Sequence, residues 1–279
     1  MSRFEGRVAA ITGAASGIGQ GLAIELAQRG CHLSLCDIDS DGLAATARLA
    51  ERAGPVRVFT NTVDVADRAA VERWADQVAA DQGSVNLIFN NAGVALSATV
   101  DDMSYESFHW LMNINFWGVV HGTKAFLPHL EASGDGHIVN ISSVFGLVGI
   151  PTQSAYNAAK FAVRGFTEAL RIELDAADCG VSATTIHPGG VRTNIARRSR
   201  WEGPTEPTEA EREEAHRQFD LIARTSPEHA AEQILRAVEK NKRRAMIGPD
   251  AHMLDLVARM PPSLYQRLIG RANARIEAG

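Results

Sequence analysis

The sequence predicts an α/β fold: a doubly wound, mostly parallel sheet with helices on both faces, in a single domain that spans residues 1–279. Three observations lead to this prediction. Short apolar runs alternate with longer amphipathic stretches, as expected for strands that are buried on both faces and joined by crossover helices. A glycine-rich turn follows the first apolar run. Residues 1–190 contain neither an internal repeat nor a change in composition that would mark a domain boundary.

The individual elements follow from the length and periodicity of these stretches. The predicted strands cover residues 8–12, 32–36, 56–59, 85–89, 137–141 and 181–186. The predicted helices cover residues 17–28, 42–52, 67–80, 104–130 and 154–177. The stretch 201–208, rich in proline and acidic residues, interrupts this order, and we expect it to be an exposed excursion within the domain.

The bulk composition narrows the possible classes of function. The formal net charge is −5 and the pI is about 6.0, so the basic surplus of a nucleic-acid-binding protein is missing. The cysteines (Cys31, Cys36 and Cys179) and the nine histidines lack metal-ligand spacing. We therefore predict no metal, and free thiols in a reducing compartment. Neither a membrane span nor a secretory signal is recognisable, which favours a cytoplasmic location.

Glycines cluster where the first strand gives way to the first helix. Gly13, Gly17 and Gly19 have the spacing Gly-x-x-x-Gly-x-Gly. Glycine tolerates positive φ and lets the backbone approach a pyrophosphate, while the helix N-terminus offers free N–H groups and a partial positive charge. Any tight strand–helix turn can use glycine, but this position in an alternating α/β chain favours a dinucleotide site.

An acidic residue, Asp37, lies at the carboxyl end of the second strand, 24 residues after Gly13. A carboxylate at this position accepts hydrogen bonds from the adenosine ribose hydroxyls of NAD. It also repels the 2′-phosphate of NADP. The other interpretation is an acidic residue that opens a loop beside Asp39 and Asp41. The pattern favours NAD as the cofactor, with NADP less favoured.

Tyr156 and Lys160 lie four residues apart, on one face of the predicted helix 154–177. A free tyrosine titrates near pH ~10, so a tyrosine that acts as a base near neutrality needs its anion stabilised by about 1.4 kcal/mol per pK unit. A nearby ammonium group does this, and so does the positive charge of an oxidised nicotinamide ring. We therefore expect Lys160 to lower the pKa of Tyr156.

The glycine spacing together with Tyr-x-x-x-Lys resembles the short-chain dehydrogenase/reductase family, whose members have a single-domain, Rossmann-like fold. The resemblance covers residues 5–195 firmly, and residues 242–248 look like the last strand of the family. The tail, about residues 249–279, is less typical. The resemblance implies a catalytic tetrad of Asn115, Ser143, Tyr156 and Lys160.

Two positions of this tetrad have competitors nearby. Ser142 competes with Ser143, and the family's separation of 13 residues between serine and tyrosine favours Ser143. Asn113 competes with Asn115, and the Asn-x-x-Gly pattern of the family favours Asn115.

The resemblance also implies how the cofactor is held. NADP-dependent members commonly carry a basic residue directly after the acid or just before the second glycine; here those positions hold Ile38 and Ser16, which favours NAD. The implied cofactor-binding residues are Gly13, Ser16, Gly17, Ile18, Gly19, Asp37, Asp64, Val65, Asn91, Ala92, Gly93, Tyr156, Lys160, Pro188, Gly189, Val191 and Thr193.

By this resemblance the chain is an NAD(P)-dependent oxidoreductase that transfers a hydride between the cofactor and a secondary alcohol or ketone. Tyr156 exchanges the proton of the substrate hydroxyl, Ser143 holds that hydroxyl, and Lys160 with Asn115 relays the proton. Two alternatives remain: a nucleotide-sugar epimerase or dehydratase, and a non-catalytic regulator that senses the cofactor. A homodimer or homotetramer is implied by the family.

Residues 190–225 follow the predicted nicotinamide loop, and we expect them to form a mobile lid over the substrate. A helix over 209–223 is predicted to turn Phe219, Leu221 and Ile222 inward. Apolar walls favour a hydrophobic substrate, because burying unpaired hydroxyl groups is costly. These residues also have a simpler interpretation as core. The predicted pocket comprises Val94, Leu96, Ser143, Phe145, Ile150 and Tyr156, with Leu147 and Val148 in its floor.

Overall fold

The computed structural model of the chain describes residues 3–205 and 207–277, with side chains up to residue 271. The two residues at each end of the predicted domain therefore lie outside the described residues. Position 206 of the predicted lid also lies outside them.

A seven-stranded sheet forms the centre of the fold. Its strand order is β3-β2-β1-β4-β6-β7-β9, and every neighbouring pair is parallel. Two short strands, β5 and β8, pair with each other outside this sheet. The strands are β1 Val8–Thr12, β2 His32–Asp37, β3 Val58–Thr62, β4 Leu87–Asn90, β5 Leu96–Ser97, β6 Gly136–Ile141, β7 Val181–Pro188, β8 Arg200–Trp201 and β9 Arg244–Ile247.

The crossovers between these strands are helical. The helices are α1 Gly17–Gln28, α2 Ser40–Ala53, α3 Arg68–Gln82, α4 Tyr105–Met112, α5 Gly118–Ser133, α6 Ser154–Ala177, α7 Glu209–Ile222, α8 Pro227–Glu239, α9 Pro249–Ala258 and α10 Pro262–Glu277. The predicted fold class, a doubly wound sheet of the Rossmann type, is confirmed.

Side chains of successive strand residues point to opposite faces of the sheet, and this builds two cores. In β1, Ala9 and Ile11 pack in one apolar cluster with α1 and α8, whereas Val8 and Ala10 pack in the other with α3 and α5. Burial on both faces explains why the central strands appear in the sequence as uninterrupted apolar runs. The three cysteines are free, as the sequence predicts.

Some predicted boundaries were wrong. The third strand begins two residues later and ends three residues later than predicted, because it is an edge strand whose pairing with β2 continues through the polar residues Thr60–Thr62. The fourth strand also begins two residues late. The predicted helix 104–130 is divided by a π-helical segment, Asn113–Trp117, between α4 and α5. π segments occur frequently at functional sites.

The chain reverses its direction of travel across the sheet at β1. It runs outward through β2 and β3, then returns to lay β4 on the other side of β1. In doubly wound sheets ligands bind beyond the carboxyl ends of the strands at such a switch point. The candidate site therefore lies between the loops that follow β1 and β4.

Candidate active site

The glycine turn after β1 interlocks with the Asn-Asn-Ala-Gly turn after β4. The Asn91 side-chain amide donates to the carbonyls of Thr12 and Gly13, at 2.9 and 3.1 Å. The Thr12 hydroxyl accepts from the amides of Asn91 and Ala92, at 2.9 and 3.0 Å. A Cβ on Gly13 would lie 2.7 Å from the Ala92 Cα, so only glycine fits at this position. The two loops thus form one rigid floor.

The N-terminus of α1 fits an anionic ligand. Within the described part of the chain, the Ser16 side chain at its N-cap accepts no hydrogen bond from the first turn. By contrast, Asp39 and Asp67 cap α2 and α3 through their carboxylates. The backbone N–H groups of α1 are therefore left for a phosphate, and the helix dipole favours that charge.

Asp37 lies next to this turn, at the carboxyl end of β2. Its carboxylate accepts from the amides of Ala15 and Asp39, both at 3.0 Å. The following residue, Ile38, is 70% exposed and carries no charge. Two backbone donors fix the carboxylate where the adenosine ribose is expected, and each carboxylate oxygen keeps further acceptor capacity.

Asp64 and Val65 follow β3. The Asp64 carboxylate accepts from the amide of Ala66 at 2.9 Å and so shapes the loop. Val65 is buried, and its side chain packs closely against Gly118. A Cβ on Gly118 would lie only 2.8 Å from the Val65 Cγ2 atom. The contact explains why α5 begins with a glycine against this loop.

Asn115 is fully buried in the π segment. Its side-chain amide donates to the Val94 carbonyl and its carbonyl oxygen accepts from the Val94 amide, both at 2.8 Å. Both polar atoms of the side chain therefore hold the chain after Gly93 rather than pointing to open space. Asn113, the competing candidate, is exposed.

Ser143 and Tyr156 come together through two different elements. Ser143 follows β6 and Tyr156 lies in the first turn of α6, and the Ser143 hydroxyl lies close enough to the phenol to act on its pKa. The competing Ser142 is buried and donates instead to the Lys160 carbonyl at 2.8 Å. Phe145 packs edge-on against the Tyr156 ring, with 5.9 Å between the ring centroids.

Lys160 lies one helical turn after Tyr156, with its ammonium group 5.5 Å from the centroid of the tyrosine ring. The ammonium group donates to the Ile141 carbonyl at 3.0 Å and is buried. The four predicted tetrad residues are therefore gathered at the carboxyl edge of β4 and β6.

Burial dominates the electrostatics of this cluster. Burial raises the pKa of Tyr156 to about 12, and the hydrogen bond from Ser143 only partly opposes it. Burial also lowers the pKa of Lys160 to about 8. Removal from water therefore outweighs the neighbouring groups of the chain. The expected lowering of the pKa of Tyr156 depends on the Lys160 ammonium group and on the positive charge of an oxidised nicotinamide ring, and it stays a prediction.

The loop after β7 carries the predicted nicotinamide contacts Pro188, Gly189, Val191 and Thr193. The Thr193 methyl group lies over the glycine turn, 2.9 Å from where a Cβ on Gly17 would sit. The amide of Gly190 donates to the Asp250 carboxylate at 2.6 Å. A Cβ on Gly189 would collide with that carboxylate at 2.1 Å.

Sequence reasoning did not identify Asp250 or Asn157. The Asn157 side chain holds the loop after Ser143: its amide donates to the carbonyls of Phe145 and Val148 at 2.6 and 2.8 Å, and its oxygen accepts from the amide of Ile150 at 3.0 Å. Its position beside Tyr156 in the motif was an available signal. Asp250 offered none, because it contacts Gly190 across 60 residues.

The predicted pocket residues divide into two groups. Val94, Phe145 and Ile150 are partly exposed at the site. Leu96, Leu147 and Val148 are buried, at 1%, 6% and 0% exposure, so their side chains lie within the core and support the wall from behind. Ile150 also lines a cleft of about 460 Å³ whose far side is formed by Gln266, Ile269 and Gly270 of α10.

The excursion 190–225 is closed at its base and anchored near its middle. The backbone at its two ends is paired. The Arg192 amide donates to the Thr225 carbonyl at 2.9 Å, and the Thr225 amide donates to the Gly190 carbonyl at 3.2 Å. Near its middle, the Glu202 carboxylate accepts from the Ser104 amide at 2.7 Å and from the Ser107 hydroxyl at 2.6 Å.

The helix predicted within this excursion is present as α7, but its orientation was predicted wrongly. Leu221 and Ile222 are 69% and 65% exposed, and Phe219 is only half-buried. A capping box between Thr208 and Glu211 stabilises the start of α7, while its contacts with the rest of the described chain bury none of its side chains fully.

The described residues contain no group of three or more histidine, cysteine, aspartate or glutamate side chains placed to hold a metal ion. Over the same part of the chain, none of the helices combines the length and the apolar character needed to cross a membrane.

Known proteins share this arrangement. The sequence model of the short chain dehydrogenase family matches residues 7–203. SadH of Mycobacterium tuberculosis is 50% identical over 277 residues, which cover 99% of this chain and 98% of SadH. A short chain dehydrogenase/reductase from Burkholderia phymatum, solved in complex with NAD, superposes with a TM-score of 0.83 at 32% identity, over 92% of this chain and 94% of the other.

A second solved structure binds the other nicotinamide cofactor. An alcohol dehydrogenase from Thermococcus sibiricus, complexed with 5-hydroxy-NADP, superposes with a TM-score of 0.72 at 28% identity, over 86% of this chain and 95% of the other. Structural relatives therefore bind both NAD and NADP derivatives.

Proposed function

Because this chain belongs to the short-chain dehydrogenase family and is an oxidoreductase of that type, we propose that it transfers a hydride between NAD and a hydrophobic secondary alcohol or its ketone. The observation that carries the proposal is the convergence of Ser143, Tyr156 and Lys160 at the carboxyl edge of the sheet, with the Lys160 ammonium group 5.5 Å from the centroid of the Tyr156 ring.

The residues of the site divide the work of the reaction. When bound, the nicotinamide supplies the hydride chemistry. The Ser143 hydroxyl and the Tyr156 phenol hold the substrate oxygen, and the phenol exchanges a proton with it. Because burial raises the pKa of Tyr156 to about 12, the phenol holds its proton at neutral pH and is ready to donate it in the direction of ketone reduction.

Alcohol oxidation requires the opposite protonation state. A positive charge close to the phenol favours the phenolate. The Lys160 ammonium group, 5.5 Å from the centroid of the Tyr156 ring, supplies part of this charge. Because burial lowers the pKa of Lys160 to about 8, the lysine itself loses charge in mildly alkaline solution. The pKa of Tyr156 is raised and the pKa of the neighbouring Lys160 is lowered. Two perturbed groups so close together support an acid–base role for the pair over a purely structural one.

The proposed preference for NAD rests on Asp37 and its neighbours. A fixed carboxylate stands where the adenosine ribose is expected, and neither Ile38 nor Ser16 offers a positive charge to a 2′-phosphate. An assembled tetrad favours catalysis over cofactor sensing, and the spacing of Gly13, Gly17 and Gly19 favours a dehydrogenase over a nucleotide-sugar epimerase, whose glycine spacing generally differs.

The proposed substrate class rests on the partly exposed side chains near Tyr156. Phe145 packs against Tyr156, Val94 packs on the same apolar cluster as Tyr156, and Ile150 lines the adjacent cleft, so a substrate with many hydroxyl groups would lose hydration there without regaining hydrogen bonds. Residues 190–225 would then close over the bound substrate as a lid.

A substrate panel tests the proposal. Purified protein with NAD is assayed for NADH formation against secondary aliphatic alcohols, sterols and polyols, each in a parallel assay with NADP. We expect turnover of at least one hydrophobic alcohol and higher kcat/KM with NAD. Turnover of polyols alone would contradict the substrate class. NADP-only activity would contradict the cofactor assignment, and binding of NAD without any turnover would support the regulator instead.

We also propose a homodimer or homotetramer in which α4–α6 meet their copies. These helices expose large apolar side chains, among them Trp117, Phe161 and Ile172, at 48%, 40% and 66%. Light scattering in solution tests this assembly, and a strictly monomeric protein would contradict it.

A further inference from the structure

His187 lies at the carboxyl end of β7 and is fully buried. Its Nδ1 is 2.8 Å from the backbone carbonyl oxygen of Ser143. A carbonyl oxygen only accepts hydrogen bonds, so Nδ1 carries the proton and donates it. This contact joins the residue that precedes the nicotinamide loop to the catalytic serine, across 44 positions of sequence.

The imidazole is neutral in the folded protein. Burial lowers the pKa of His187 to about 4, and the hydrogen bond to Ser143 opposes this only in part. The charged groups that act on it are Arg244 and Arg164, which lower its pKa further, and Glu168, which raises it. The donor at Nδ1 is therefore unchanged across the neutral range of pH.

Hydrogen-bond satisfaction does not explain why a histidine stands here. The Ser143 carbonyl already accepts from the Gly146 amide at 2.9 Å, so it keeps a partner without the imidazole. The other ring nitrogen, Nε2, is buried without a hydrogen-bond partner among the described residues. A buried acceptor without a partner destabilises a fold, so an apolar side chain of similar size would be at least as stable at this position.

We propose that His187 is a positioning residue for catalysis, which fixes the Ser143 peptide and thereby aims the Ser143 hydroxyl at Tyr156. The hydroxyl is held from two sides. Its oxygen accepts from the Phe145 amide at 3.1 Å, and its backbone carbonyl is fixed by His187. With the side-chain oxygen and the backbone carbonyl of Ser143 both fixed, the hydroxyl proton is left to point toward the Tyr156 phenol and the substrate oxygen.

The same contact sets the distance between the two halves of the site. Pro188 follows His187 directly and opens the loop that is expected to hold the nicotinamide. Because His187 connects that loop to Ser143, the group that receives the hydride and the groups that handle the proton share one rigid link. The inference rests on the proposed function and adds the residue that keeps its two steps in register.

Three substitutions separate positioning from packing. His187→Leu removes the donor and keeps the bulk. His187→Asn places an amide nitrogen where Nδ1 stands, attached to the same Cγ. His187→Gln carries its donor one atom further out. For His187→Leu we expect kcat to fall by on the order of tenfold to a hundredfold, with KM for NAD unchanged and Tm equal or higher. For His187→Asn we expect most of kcat to return, and for His187→Gln we expect no such return.

The outcomes separate this inference from the proposed function. A wild-type protein without turnover contradicts the proposed function, whereas wild-type turnover with full kcat in His187→Leu contradicts the role of His187 alone. If all three variants lost kcat to the same extent and also had a lower Tm, His187 would have a packing role. Crystal structures of His187→Leu and His187→Asn give a test that needs no turnover. We expect the Ser143 hydroxyl to be displaced in the first and native in the second, and an unmoved Ser143 in His187→Leu overturns the proposal.

Discussion

The residues up to Pro188 and the excursion 190–225 are built by different interactions. In the first region polar side chains are buried and bonded to one another or to the backbone: Asn90 donates to Asn140 at 2.8 Å, and Asn140 donates to Thr167 at 2.9 Å. In the second region charged side chains pair at the surface, as Arg197 does with Asp220 on α7. The match to the family sequence model ends at residue 203, soon after this change.

The difference has an energetic meaning. A buried hydrogen bond contributes roughly 1 kcal/mol, and leaving its partner unsatisfied costs about 1–3 kcal/mol. An exposed ion pair contributes about 0–1 kcal/mol. The first region therefore holds its catalytic groups rigidly, while the second is expected to open at lower free energy. We propose that the rigid region positions the catalytic groups and that the looser region controls access of the substrate to them. Four predictions test that division.

The largest expected effect is the loss of the phenolic proton. Tyr156→Phe keeps the ring that packs against Phe145, so folding and NAD affinity should remain. Because general acid–base catalysis contributes about 10²–10⁴-fold, kcat should fall by at least that order. Tyr105→Phe is the matched control, since Tyr105 is 86% exposed on α4. Substantial activity in Tyr156→Phe would remove Tyr156 from the chemistry.

The rigid region should also determine acid stability. Burial lowers the pKa of His187 to about 4 and that of His137 to about 3, both from 6.5. The unfolded chain therefore binds these protons first, and the free energy of unfolding falls as the pH drops from 6.5 toward 4. At pH 5 the loss is about 2 kcal/mol for each histidine, at about 1.4 kcal/mol per pK unit.

Denaturant titrations at pH 7 and pH 5 measure this loss. His187→Leu should lose less stability than wild type between the two pH values, by about 2 kcal/mol. His252→Leu, an exposed histidine on α9, should behave as wild type. An unchanged pH dependence in His187→Leu would mean that the pKa of His187 is the same in the folded and the unfolded chain.

Cofactor choice tests a position on the rim of the rigid region. Asp37→Ala combined with Ile38→Arg removes the repulsion of a 2′-phosphate and adds a charge that attracts it. The ratio of kcat/KM for NADP to that for NAD should rise by on the order of tenfold, the equivalent of about 1.4 kcal/mol. Asp41→Ala, at an exposed acid in the first turn of α2, is the control. A wild type that already prefers NADP would contradict the role of Asp37.

The sequence was most informative where function depends on local spacing. The glycine turn and Asp37 were predicted from the ends of strands, because strand ends in a parallel sheet share one edge. Tyr156 was predicted from its spacing to Lys160 and Ser143 from the resemblance to the family, and the roles of all of them stay predictions. The choice of Ser143 over Ser142 rested on the spacing of the family, and in the structure the Ser142 hydroxyl donates to the Lys160 carbonyl whereas the Ser143 hydroxyl lies near Tyr156.

Features that depend on distant contacts were not predictable. The π segment forms where α5 meets the loops after β3 and β4, and no local pattern marks it. Asp250 and His187 act across 60 and 44 residues. The burial that raises the pKa of Tyr156 and lowers that of Lys160 was also not predictable, because the sequence shows that a lysine is near but not how deeply both groups are buried.

The smallest expected effect concerns the anchor of the looser region. Glu202 joins the excursion to the start of α4 by accepting from the Ser104 amide and from the hydroxyls of Ser104 and Ser107. Its negative charge also lies at the favourable end of the helix dipole. A second contact, the Arg200 guanidinium 3.6 Å from the centroid of the Trp110 ring, remains when Glu202 is replaced.

Glu202→Ala should therefore loosen the excursion without releasing it. We expect faster hydrogen exchange at residues 195–205 and a rise in substrate KM of at most about fivefold, the equivalent of about 1 kcal/mol, with KM for NAD and Tm nearly unchanged. Glu213→Ala, at an exposed acid on α7, is the control for charge alone. Because the rigid region does not depend on this anchor, amide hydrogen exchange at Asn90 and Asn140 should stay slow in Glu202→Ala and in Glu213→Ala. Equal acceleration in the two regions would show one cooperative unit, and the division between a rigid catalytic region and a looser covering region would fail.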